Sequence, residues 1–174
     1  MDRRHILNLT AVAETPQFAN TTLRALATGW RLSGIYRWAA GAPMTVIAGT
    51  DRALNGIFNQ RADQVLADPY GDKSGRPFTN WLNPAAFALP ASGTIGNAGR
   101  NTVTAPGLWS FDLALSRTFR LGENNRLEAR AEAYNVTNSF RPVNPSADVT
   151  NALFGQIRAS RPPRVMQFAL KYTF

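Results

Sequence analysis

Residues 164–174 read RVMQFALKYTF, and the spacing within them decides the fold. Met166, Phe168, Leu170, Tyr172 and Phe174 fall on every second position, with Gln167, Ala169, Lys171 and Thr173 between them. A period of two sends alternate side chains to opposite faces of a β-strand. One face of this strand is then wholly apolar and partly aromatic, and the other is polar, cationic or small. A soluble sheet with one wet face alternates in the same way. The unusual feature is that the pattern persists to a phenylalanine carrying the carboxylate, because termini are ordinarily frayed and polar.

The same alternation recurs upstream. Leu7, Leu9, Ala11 and Ala13 oppose Ile6, Asn8, Thr10, Val12 and Glu14. Trp30, Leu32, Gly34, Tyr36 and Trp38 oppose Arg31, Ser33, Ile35 and Arg37. Phe111, Leu113, Leu115, Phe119 and Leu121 oppose Asp112, Ser116, Thr118 and Arg120. Leu127, Ala129, Ala131 and Ala133 oppose Glu128, Arg130, Glu132 and Tyr134. The spacing predicts five main strands near 4–15, 29–43, 108–121, 126–137 and 164–174. Each is about ten residues long, enough for a tilted strand to cross a bilayer. Arg117 breaks the rule, falling in phase with Leu115 and Phe119. A lipid-facing Arg at the midplane costs about 2–4 kcal/mol, so either a snorkelling side chain or a bulged strand is expected there.

Composition agrees with a β-rich chain. Charged residues make up 17% of the 174, against about a quarter in an average soluble domain. Thirteen glycines and eleven prolines favour turns over helix. The net charge of +8 is scattered, and the aromatics lie opposite the cations instead of interleaving with them. That argues against a nucleic-acid surface. There is no cysteine, hence no disulfide or thiolate chemistry. No apolar run approaches the length of a membrane helix, and the first residues do not read as a signal peptide. Export would therefore need a signal upstream of Met1.

The connections add topology. GENN, residues 122–125, is a tight turn, the segment between the first two strands is moderate, and about 44–107 and 138–163 are long and rich in Gly, Pro and Asn. Outer-membrane barrels have short periplasmic turns and long extracellular loops. With GENN in the periplasm, both long segments fall outside and the last strand ends in the periplasm. Trp30, Tyr172 and Phe174 then lie at the inner interface and Tyr36 and Trp38 at the outer one, as aromatic girdles require. The architecture expected is an all-β, antiparallel up-and-down meander. It forms part of a transmembrane barrel and carries long irregular extracellular loops. Leu7, Leu32, Leu113, Leu115, Phe168 and Leu170 should face lipid, and Asp112, Glu128, Arg130, Glu132 and Lys171 the interior. The strand at 164–174 should pair only with 126–137 and leave one edge bare.

Several blocks in order carry a family resemblance. They are DRRH, GWRLSGIYRWAAGAPMTV, RADQVLADPYGDKSGRPFTNWLNPAAFALPASGTIGNAGRNTVTAPG, FDLALSRTFRLGENNRLEARAEAYNVTN and FGQIRASRPPRVMQFALKYTF. Together they resemble the C-terminal part of an Oar-like TonB-dependent outer-membrane receptor. The resemblance implies a 22-stranded barrel in the bacterial outer membrane, with a plug, a TonB box and a carboxypeptidase-regulatory-like domain upstream. It implies a ligand such as a siderophore, cobalamin, a sugar or a peptide, and energy from the TonB complex through the N-terminal parts. It also implies that Phe168, Leu170, Tyr172 and Phe174 form the sorting signal read by the outer-membrane assembly machinery. Residues 1–174 would be the C-terminal segment of such a receptor, and Met1 an internal methionine or a mis-assigned start.

No catalytic, cofactor or metal site is expected. His5 stands alone, and Asp51, Asp63, Asp68 and Asp72 lack EF-hand spacing and read as solvated loop acids. GTIGNAGRNTVTAPG lacks the Lys-Ser/Thr of a P-loop and reads as a mobile surface loop. NLT, NTT and NVT fit the glycosylation sequon without implying its use. Glu128, Arg130 and Glu132 read as an interior salt-bridge ladder between neighbouring strands. Two functions remain: a transporter or receptor wall taking up a ligand, or a structural or adhesive surface β-protein with no transport role.

Overall fold

A computed structural model describes residues 3–72 and 79–174. Asp2 of the first resembling block and Lys73–Phe78 of the third lie outside the described residues. In chain order the elements begin with β1 (Ile6–Glu14), α1 (Thr21–Ala27) and β2 (Trp30–Ala39). Four two-residue strands follow: β3 (Pro43–Met44), β4 (Asp63–Gln64), β5 (Phe87–Ala88) and β6 (Val103–Thr104). The chain then closes with β7 (Leu108–Arg120), β8 (Arg126–Tyr134) and β9 (Val165–Thr173).

The long strands form one antiparallel sheet in the order β1-β2-β7-β8-β9, which is sequential along the chain. All five expected strands are present, with ends shifted by a few residues for local reasons. β2 stops at Ala39 instead of 43. At Gly41 the chain passes so near residue 105 that a Cβ would lie 1.7 Å from the Ala105 carbonyl oxygen. β8 stops at Tyr134 instead of 137 because Asn135 turns into the left-handed region, at φ 52°. The Asn135 N–H donates to Asp112 Oδ1 at 2.8 Å, and its side chain exchanges hydrogen bonds with Ser139.

The polypeptide divides into two compact units. The first holds the sheet and comprises Ile6–Trp38, Trp109–Arg141 and Pro162–Phe174. The second comprises the described parts of Met1–His5, Ala39–Leu108 and Pro142–Arg161.

The second unit is irregular, as expected of long loops, yet it has a core. Val46, Ala62, Leu82, Ala86 and Val103 are essentially inaccessible, and Met44, Phe87, Ala105 and Phe154 complete the cluster. Phe87 meets Phe154 edge-to-face at 5.6 Å. The Gly155 carbonyl accepts N–H bonds from both Trp81 and Leu82, at 2.9 and 3.0 Å. Ile47 bridges to Asp148, with its N–H on the Ala147 carbonyl and its own carbonyl on the Val149 N–H. The stretch at 93–107 is not a simple surface loop. Ala98, Val103 and Ala105 are buried, and β6 pairs with β3. Asn97 and Asp63 exchange side-chain-to-backbone bonds with Gln64 N and Asn97 N at 2.7 and 2.8 Å. These apolar residues are drawn from separate stretches, so no local period announces the core.

Candidate functional site: the two sheet faces and the terminal strand

The register fixes which side chains share a face. Across β7, β8 and β9, one set of rows reads Leu113–Ala133–Met166, Leu115–Ala131–Phe168, Arg117–Ala129–Leu170 and Phe119–Leu127–Tyr172. The alternate rows read Ala114–Glu132–Gln167, Ser116–Arg130–Ala169, Thr118–Glu128–Lys171 and Arg120–Arg126–Thr173. Leu32 belongs with the first set, because a Cβ on its alternate neighbour Gly34 would touch Leu113 and Phe111 at 3.2 Å. Alternation along β1 places Leu7 with Leu9, Ala11 and Ala13. The sheet therefore has one apolar and one polar face, divided between the expected residues.

The apolar face is uncovered. Phe168 is 74% and Leu170 71% exposed, and Leu9, Leu32 and Leu115 are also exposed. A soluble monomer rarely leaves so continuous an apolar surface bare. Aromatic residues gather at both ends of this face. Tyr36 and Trp109 lie 6.2 Å apart at one end, and Tyr172 and Phe174 lie 6.1 Å apart at the other.

Arg117 sits in the apolar set without a bulge, its register with Ala129 unbroken. Its guanidinium lies 5.1 Å from the ring centre of Trp30 and 4.6 Å from that of Phe119. Cation–π contact suits a cation beside apolar surface. Arg117 also donates through Nη2 to the Ala25 carbonyl near the C-terminus of α1. The side chain thus runs toward the strand end, as snorkelling requires.

The polar face carries a charge ladder. Arg130 donates to Glu128 Oε1 at 2.8 Å and approaches Glu132 Oε1 at 3.4 Å. Glu132 also accepts from Gln167 on β9 at 2.5 Å and from the Tyr134 hydroxyl at 3.1 Å. The ion pairs of this ladder run along β8, not between neighbouring strands as the sequence reading had them. Residues i and i+2 share a face, and Arg130 spans both neighbours. Neighbouring strands are joined by ion pairs elsewhere, Arg37 with Asp112 at 2.8 Å and Arg31 with Glu14 at 3.4 Å. The same Asp112 holds the Asn135 N–H, so it fixes the turn after β8 as well. Sequence reading passed over Asn135 as a sequon. Its tolerance for positive φ, just after an alternating run, was the available signal.

The terminal strand β9 pairs with β8 through nine residues, Arg126↔Thr173 to Tyr134↔Val165, and lies at the sheet edge. Every residue of β9 is exposed, and so is every residue of β1 at the other edge. Phe168, Leu170 and Tyr172 stand on the apolar side of β9, and Phe174 is 91% exposed.

Elsewhere the loop acids serve the backbone. Asp51 accepts from the N–H groups of Gly56 and Asn55 and from Gln60 Nε2, at 2.7, 3.1 and 2.6 Å. These bonds, that from Gly56 foremost, hold its carboxyl below the ordinary range. Asp68 accepts from the Tyr70 N–H at 3.0 Å. Among the described residues no group of three or more His, Cys, Asp or Glu is placed to hold a metal ion. No described helix is long and apolar enough to cross a membrane, which says nothing of strands.

The model of the outer membrane beta barrel domain family matches residues 1–167. No curated protein and no solved structure matches the chain. The match spans nearly the whole length, so the chain belongs to that family and its place is the bacterial outer membrane.

Proposed function

We propose that this outer-membrane β-barrel chain forms part of the wall and the surface connections of an Oar-like TonB-dependent receptor, which takes up a ligand from outside. The observation that carries the reading is the pair of opposed faces on one sheet. An uncovered apolar face with aromatic ends suits lipid, and a charged face with Arg130, Glu128, Glu132 and Arg37 suits a water-filled lumen. The Oar-like blocks, in sequence order, supply the finer part. In this reading the long connections 44–107 and 138–163 are extracellular loops that serve ligand uptake. TonB acts through the N-terminal parts of the receptor, and no nucleic acid or cofactor takes part.

The reading also assigns a role to Phe168, Leu170, Tyr172 and Phe174. They form an alternating apolar signal on an edge strand, read by the assembly machinery before that edge is paired.

The test is retention of the full-length outer-membrane protein by a purified periplasmic TonB domain. Retention lost on mutating the TonB box supports the receptor. A full-length protein with no TonB-dependent retention favours the alternative, a structural or adhesive surface β-protein. The compact core of the second unit suits that alternative as well.

A further inference from the structure

Helix α1 fills the connection between β1 and β2, at the sheet end that also carries Phe119 and Tyr172. Its seven residues are too few for a helix to persist alone in water. Asn20 caps its start, accepting from the N–H groups of Thr22 and Leu23 at 2.9 and 3.2 Å. Arg24 fastens the entry, donating to the carbonyls of Phe18 and Ala19 at 3.0 Å each.

The other end is held from the sheet. A helix leaves its last four carbonyls without intrahelical partners. Two of these are taken by side chains of the apolar face. Trp30 Nε1 donates to the Leu26 carbonyl at 2.9 Å, and Arg117 donates to the Ala25 carbonyl. A cation at a helix C-terminus is also favoured by the helix dipole. These two bonds tie the helix to side chains of the apolar rows. None of its residues is buried. Leu23 and Leu26, three apart and so on one helical face, are 49% and 66% exposed.

We propose that α1 is an interfacial anchor, lying in the headgroup region of the leaflet that borders this end of the sheet, with Leu23 and Leu26 in the acyl boundary. The occupant of the leucine face is membrane lipid, because the helix that carries it is bonded through the Leu26 and Ala25 carbonyls to Trp30 and Arg117 of the apolar face, and both leucines are exposed. Short helices with leucines on one face and cations nearby take this position at a bilayer surface. Arg117 is then a positioning residue that fastens the anchor, and its own charge lies at headgroup depth. The proposal rests on the reading that the apolar rows of β7 and β9 face lipid.

The chain has no cysteine, so single nitroxide labels can be placed without background. The full chain would be labelled at L23C, L26C, L170C or N124C in vesicles of phosphatidylethanolamine and phosphatidylglycerol. Collision with oxygen would be compared with collision with an aqueous nickel chelate. The expected result is oxygen exceeding nickel several-fold at 23, 26 and 170, and the reverse at 124. Aqueous labels at 23 and 26 with a lipid-exposed label at 170 would overturn the anchor alone. An aqueous label at 170 would overturn the membrane-face reading and the anchor with it. In an Arg117→Leu background the label at 26 should become markedly more mobile. Unchanged mobility there would overturn the role of Arg117 as the fastening.

Discussion

Arg130 Nη2 lies 2.8 Å from Glu128 Oε1, two residues away on the same strand and the same face. Its charge is shared with Glu132 on the other side, at 3.4 Å. The Arg130 side chain remains 48% exposed, so water screens both pairs. Solvated pairs of this kind contribute little to stability. Arg130→Gln should therefore lower stability only slightly. Arg130→Glu should do more harm, by placing three carboxylates in a line. Urea titration of the chain in detergent, followed by circular dichroism, checks the difference.

Gly155 in the second unit has φ +75°, and a Cβ there would sit 2.5 Å from the Leu82 carbonyl oxygen. Both the backbone conformation and the space exclude a side chain. Gly155→Ala should loosen the unit by about 1–3 kcal/mol, the scale of a residue forced into a sparsely populated backbone region. Hydrogen exchange should rise at the N–H groups of Trp81 and Leu82, which bond the Gly155 carbonyl. Unchanged protection at those two amides would contradict the packing described.

Asp51 gives the same unit an acid-dependent contribution to stability. Its carboxyl is held below the ordinary value of 3.8, chiefly by the Gly56 N–H. A depressed carboxyl adds stability that is complete above the unfolded value and lost as pH falls through the folded one. The bonds to Gly56 and Asn55 should thus be intact at pH 3.8 and fail only as pH falls through the lower folded value. Asp51→Asn should remove that acid-dependent step. Following the Gly56 amide by NMR across the acid range tests both statements.

The five strands were legible because alternation persists over nine to thirteen residues in each, and the end of β8 moved only where Asn135 changed hand. The polar and apolar sets were legible for the same reason. The core of the second unit was not. Val46, Leu82, Val103 and Phe154 come from four separated stretches, and only tertiary packing relates them. Helix α1 left one sign, Asn20 before TTLRALA, which is a sound N-cap before too short a run. For Arg117, the period of two gave its face but not its partners, because Trp30 and Ala25 lie far back along the chain.

Leu115 and Ser116 are neighbours with opposite outlooks. Leu115 shares a row with Ala131 and Phe168, and Ser116 a row with Arg130 and Ala169. Leu115→Arg should cost about 2–4 kcal/mol in bilayers, as arginine does on the lipid face near the midplane. Ser116→Arg should cost much less, apart from repulsion with Arg130. Urea unfolding in lipid vesicles measures both, and equal costs would mean that the two faces meet the same medium.

The central claim is that successive residues of β7 look alternately into lipid and into water. It is tested most directly by a single-cysteine scan across residues 111–119, each site carrying a polarity-sensitive fluorophore, with the chain in lipid bilayers. The account predicts blue-shifted emission at 111, 113, 115 and 119, and red-shifted emission at 112, 114, 116 and 118. Emission at 117 should be intermediate, where Arg117 reaches for the interface. Emission without a period of two, or uniformly aqueous along the strand, would contradict it.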